Sequence, residues 1–112
     1  MPLIDEKTFD ELKQMSGAEF INELIDTFLD DSPKLMKEME AALKADNVDS
    51  FRRAAHSLKS NAATFGASEL FALAKELEML GKENKLNETG DRLRALKESY
   101  ESVRKELIEL KS

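Results

Sequence analysis

Apolar residues recur along this chain at intervals of three and four, the spacing that lays them on one face of an α-helix. Near the start, Phe9, Leu12 and Met15 carry it. Asp5 stands where an N-cap would, with Ile4 before it and Phe9 after it as two halves of a hydrophobic staple. Ser16-Gly17 ends this short first helix. A long second helix is expected from Ala18 to Ala45, with Ile21, Ile25, Phe28, Leu35, Met39 and Ala42 inward and Ser32 filling a gap in the series. Pro33 falls inside it, where the ring removes one backbone donor and crowds the carbonyl of Leu29. The pattern predicts a kink there, or a full break into two helices.

Asp46-Asn47 marks a turn and a new N-cap. The third helix reads Val48, Phe51, Ala55, Leu58, Ala62, Phe65, and Gly66 closes it. Ser68 is the expected N-cap of the fourth, whose inward face is Leu70, Leu73, Leu77 and Leu80, widened by Phe71 and Ala74. That helix ends between Gly81 and Leu86, and Asn87 to Gly90 form the last turn. The fifth helix carries Leu93, Leu96, Tyr100, Val103, Leu107 and Leu110. Short connections make sequential helices antiparallel neighbours. The fold class is therefore all-α: an up-down-up-down antiparallel four-helix bundle with a short N-terminal capping helix. Residues 1–112 form one domain, with no repeat or linker.

Composition removes several function classes. The chain has no Cys, so it offers neither disulfide nor thiolate chemistry. Its net charge of −6 repels nucleic-acid phosphates and anionic membranes. The N-terminus lacks the basic-then-apolar pattern of a signal peptide, and no apolar run could span a bilayer. The expected compartment is the cytoplasm. Met1 and the short length favour a free-standing protein over an excised domain. No Gly-rich phosphate loop is present, so the chain is not expected to use ATP or to be a kinase in its own right. One His and no Cys are too few soft ligands for a haem or metal bundle, and no cofactor or metal is expected in the chain.

The single histidine then draws attention. His56 lies one residue past the inward face of the third helix, about 100° further round. It belongs on the flank, partly exposed. Its same-face neighbours are Arg52, Arg53, Lys59 and Ser60, with Asp49 and Ala63 a turn further out. The cations favour a neutral, nucleophilic ring and could hold a dianionic group attached to it. Ser60 and Ala63 are small, so a bulky partner could approach the imidazole there. Geometry alone leaves His56 evenly balanced between an ordinary surface residue and a reactive group.

The stretch His56-Ser57-Leu58-Lys59-Ser60-Asn61-Ala62-Ala63-Thr64-Phe65-Gly66-Ala67 resembles the signature of histidine-containing phosphotransfer (HPt) domains. The family pattern runs histidine, any residue, apolar, lysine, a small residue, then an apolar-Gly-Ala close, with Ala55 fitting before it. Phe28 to Pro33 with Leu35, Leu73 to Glu78, and Tyr100 to Leu107 resemble other helices of the family. Many members have Gly where this chain has Ser60, whose hydroxyl could bond a phosphoryl group. The resemblance implies a phosphohistidine carrier in a multistep two-component phosphorelay. His56 would accept a phosphoryl group on Nε2 from a receiver-domain aspartate and pass it to another, with Lys59 stabilising the phosphoryl oxygens. Arg52 and Arg53 join that set from helical spacing alone.

The resemblance further implies response-regulator receiver domains and a hybrid histidine kinase as partners of a monomer. Mg²⁺ would sit on the receiver, not on this chain. Receivers of the family dock on apolar residues around the histidine; Met15, Leu24, Leu29 and Met36 are the candidates here, though most are expected to widen the core instead. The competing reading is a helical adaptor that docks a receiver or kinase without being phosphorylated. Lys59 is expected to be exposed, so that its replacement by Ala would leave stability near normal.

Overall fold

Asp5 opens the first helix as expected, accepting the Thr8 backbone N–H at 3.1 Å and the Thr8 hydroxyl at 2.5 Å. In this computed structural model, which describes residues 3–111, five α-helices follow one another: α1 (Glu6–Ser16), α2 (Ala18–Lys44), α3 (Val48–Thr64), α4 (Ser68–Lys82) and α5 (Gly90–Leu110). A 3₁₀ turn at Leu86–Glu88 joins the last two. Ion pairs Glu40–Lys97 and Asp26–Lys111 show α2 and α5 running in opposite directions. The four long helices form an antiparallel bundle, and α1 packs on α2.

Three connections end their helices in the same way. Each puts one residue at positive φ: Asp46 at 53°, Gly66 at 67° and Asn84 at 58°. At each, the following backbone N–H reaches back into the last turn: Asn47 to Ala42 at 2.8 Å, Ala67 to Ala62 at 3.0 Å and Lys85 to Leu80 at 2.8 Å. Gly66 has a second reason to be glycine. A Cβ there would stand 2.9 Å from Cβ of Asp5, and the Gly66 carbonyl accepts the Asp5 N–H at 3.0 Å. The α3–α4 turn thereby pins the start of α1. From the other side, Glu106 of α5 accepts the backbone N–H groups of Leu3 and Ile4 at 2.8 and 3.2 Å.

Pro33 does not break α2, which runs unbroken for 27 residues. That is about 40 Å of helix, the full 41 Å length of the molecule. The carbonyl of Leu29, deprived of its helical donor, instead accepts the hydroxyl of Tyr100 on α5 at 3.4 Å. Phe28 stands beside it, 5.9 Å from the Tyr100 ring and edge-on to Phe65 at 5.4 Å.

Several inward positions shift from the sequence pattern. Past Pro33 the buried residue of α2 is Met36 and Leu35 is only half-buried, because the stripe steps through Phe28, Ser32 and Met36. Ser68 is the first residue of α4 rather than its cap; Ala67 takes the cap position and is fully buried under the turn. Leu110 is 39% exposed in the last turn of α5, which has no layer left to cover it. The largest departure is in α4. Its buried stripe is Leu70, Ala74, Leu77, Glu78 and Gly81, with Leu73 and Leu80 left half-buried.

Candidate functional site

Ala54, Ala55 and Leu58 turn one face of α3 into the core, and His56 emerges beside them at the seam with α4. Its side chain is 57% exposed. The Nδ1 atom lies 2.6 Å from Oε2 of Glu78. The other carboxylate oxygen, Oε1, lies 2.6 Å from Nζ of Lys59, one turn further along α3. Glu78 itself is 3% exposed. One buried carboxylate thus holds both the imidazole and the lysine ammonium.

The carboxylate is buried because the helices approach closely. Ala74 and Gly81 flank Glu78 at minus four and plus three, the neighbouring positions of its own helix face. A Cβ on Gly81 would meet Cβ of Arg52 at 3.3 Å and the Phe51 ring at 3.4 Å. Burial by itself would push the Glu78 carboxyl up. The hydrogen bonds from Lys59 and His56 and the Lys59 charge outweigh it, and the group stays below its ordinary value of 4.5.

An ionised carboxylate only accepts hydrogen bonds, so Nδ1 of His56 must donate. In the neutral imidazole the lone pair then belongs to Nε2. Among the described residues Nε2 has no hydrogen-bond partner, and the ring's exposure leaves it facing solvent. The arrangement holds an imidazole in one tautomer and presents its free nitrogen outward.

The other expected site residues are distributed around this trio. Arg52 and Arg53 both pair with Asp49, each at 2.9 Å, so their guanidinium groups are drawn one turn upstream. Ser60 and Ala63 are exposed on the turn beyond His56. Lys59 is 22% exposed, not the free surface residue its spacing suggested, because the buried carboxylate draws it in. Of the candidate docking residues, Met15 is 86% exposed, Leu24 and Leu29 are half-buried, and Met36 belongs to the core. Leu24 lines a shallow groove between α2 and α3 with Thr27, Asp31, Asn61 and Thr64.

The helical pattern missed Glu78. It fell next to Leu77 in a helix where leucines alone defined an inward face. The available signal was the run Ala74, Glu78, Gly81: a charge bracketed by two small residues at helical-neighbour spacing.

Comparison with known proteins agrees with this geometry. The Hpt domain family matches residues 23–106. Phosphorelay protein LuxU of Vibrio vulnificus strain YJ016 is 33% identical over 92 residues, covering 81% of this chain and 80% of the relative. Phosphorelay protein LuxU of Vibrio cholerae is 30% identical over 83 residues, 74% of each chain. The crystal structure of histidine-containing phosphotransfer protein B from Pseudomonas aeruginosa PAO1 superposes with a TM-score of 0.92 at 26% identity, covering 98% of this chain and 95% of that one. A bundle of this kind is a phosphotransfer carrier of the multistep phosphorelay. The chain belongs to the Hpt domain family.

Proposed function

We propose that His56 is the phosphoryl-carrying residue and that Nε2 is the atom that bonds phosphorus. The observation that carries this reading is the half-exposed ring whose Nδ1 is held 2.6 Å from a buried carboxylate. Nε2 attacks the phosphorus of a receiver's aspartyl phosphate, the P–O bond breaks, and its electron pair leaves with the aspartate. The reverse sequence delivers the group to the aspartate of a second receiver. Such transfer asks for positioning and for positive charge near the phosphoryl oxygens. Lys59 is the cation of choice, one helical turn from His56, with Ser60 a candidate hydroxyl donor. Arg52 and Arg53, four and three positions before His56 on α3, add to the positive field of the site.

Receiver domains are the partners in this reading, with a hybrid histidine kinase upstream, and the chain works as a monomer. Met15, Leu24 and the α2–α3 groove supply apolar contact for the incoming domain. Mg²⁺ sits on the receiver, and this chain needs no nucleotide or kinase activity of its own. We place it in the cytoplasm; no helix among the described residues is long and apolar enough to cross a membrane.

The test is incubation with a phosphorylated receiver. The carrier reading expects an acid-labile, alkali-stable phosphoryl group on the protein, absent from a folded His56→Gln variant. Receiver binding without label on the wild type would instead identify a docking adaptor.

A further inference from the structure

Glu78 has a consequence beyond choosing the tautomer. When Nε2 of a neutral imidazole takes a phosphoryl group, no proton has to move. The N–P bond forms from the ring's lone pair, Nδ1 keeps its hydrogen, and the ring becomes a phosphoimidazolium cation. In the onward step the N–P electron pair returns to the ring, which leaves as neutral imidazole. Were Nδ1 to lose its proton first, the ring would have to leave as imidazolate, a far poorer leaving group. Onward transfer therefore depends on keeping hydrogen on Nδ1 of the phosphorylated ring.

We propose that Glu78 keeps phosphorylated His56 protonated at Nδ1, and so transferable, through the neutral and mildly alkaline range. Its oxygen is already placed 2.6 Å from Nδ1. It is 3% exposed, so water screens its attraction for a cationic ring only weakly. Lys59, 2.6 Å from the second oxygen, keeps the carboxylate ionised while it is buried. In this arrangement Lys59 acts on the ring through Glu78 as well as on the phosphoryl group.

The other charges facing the ring do not replace it. On α3, Arg52 and Arg53 are paired with Asp49 and, like Lys59, oppose a cationic ring. On α4, Lys75 and Lys82 flank Glu78 at minus three and plus four, with the same sign. On α2, Asp31 lines the groove against Asn61 and Thr64, beyond the site, and Glu38 lines a hollow with Ser50 at the other end of α3. Glu78 is the carboxylate in contact with the imidazole.

The proposal rests on His56 being the phosphorylated residue, and the experiment separates the two. Wild type and Glu78→Gln are phosphorylated with phosphoramidate, freed of donor, and followed by ³¹P NMR from about pH 6 to about pH 9. Gln accepts the same hydrogen bond without the charge. The ring of the variant should lose its Nδ1 proton at least one pH unit below wild type, about a tenfold loss of proton affinity. Transfer to a Mg²⁺-loaded receiver should then slow about tenfold between about pH 6.5 and about pH 8.5 in the variant, and by less than about twofold in wild type. A second comparison needs no variant. The wild-type midpoint should lie at least about one unit above that of an Nε2-phosphorylated peptide spanning residues 54–60. Superimposed titrations, with label confined to His56, overturn this proposal alone. Label persisting in His56→Gln overturns the carrier reading and this proposal with it.

Discussion

Lys59 holds its ammonium 2.6 Å from Oε1 of Glu78, so the lysine of the site is already engaged by a buried carboxylate in the unphosphorylated protein. The arrangement gives Lys59 a structural part beside the chemical one proposed for it. Replacing it leaves Glu78 desolvated with His56 as its remaining partner.

Lys59→Ala is therefore expected to destabilise the fold by about 1–3 kcal/mol at neutral pH, the cost of stripping a buried polar group of a partner. Urea unfolding measures it. In a Glu78→Gln background the same substitution should cost measurably less, and a double-mutant cycle gives the coupling. A near-zero cost in the wild-type background would mean that water replaces the ammonium freely.

Acid should unfold the protein partly through Glu78. Its folded carboxyl lies below the ordinary value of 4.5, so its contribution is complete above that pH and is lost as pH falls through the folded value. Asp5, held down by the Thr8 hydrogen bonds, and Asp49, held down by Arg52 and Arg53, act with the same sign. Unfolding midpoints in urea should fall below about pH 5, with a shallower fall for Glu78→Gln.

Pro33 and Tyr100 should be coupled. Pro33→Ala restores the N–H that the Leu29 carbonyl lacks and is expected to stabilise α2 by about 1–3 kcal/mol. Tyr100→Phe removes the substitute donor and should cost about 0.5–1.5 kcal/mol. In the Pro33→Ala background the Tyr100→Phe cost should shrink toward zero. Additive effects in thermal melts would sink the idea that Tyr100 compensates for the proline.

Gly66→Ala should cost about 1–3 kcal/mol, since it adds a left-handed alanine to a close contact with Asp5 and Thr8. The loss should be local at first. Proteolysis should reach α1 sooner, while helical circular dichroism at low temperature stays near wild type.

The helices were legible because long apolar periodicities and turn residues are local properties. Gly17, Asp46-Asn47 and Gly66 marked three of the four helix ends that carry a positive φ, and only the range from Gly81 to Leu86 bracketed the fourth, at Asn84. His56 was legible by its uniqueness and by the motif around it. Glu78 was not, because its role depends on which face of α4 meets α3, and that was decided by small residues rather than by leucines. Leu35 and Met36 exchanged roles for a related reason: a stripe through Ser32 is invisible to a search for apolar positions. Helical spacing nominated Arg52 and Arg53, but spacing does not reveal that Asp49 captures both groups.

His56, Lys59 and Glu78 all belong to one helical hairpin, α3 and α4, joined by a tight turn, and 22 positions separate the imidazole from its carboxylate. Contacts that close over so short a stretch cost little chain entropy and form early, in the way that local topology speeds folding generally. The hairpin can therefore bring the trio together before α1 or α5 has docked, and retain it while those outer elements fray. The trio is then portable. Other pairs of helices could buttress the same hairpin, and sequence drift in the buttress would leave the reactive geometry intact.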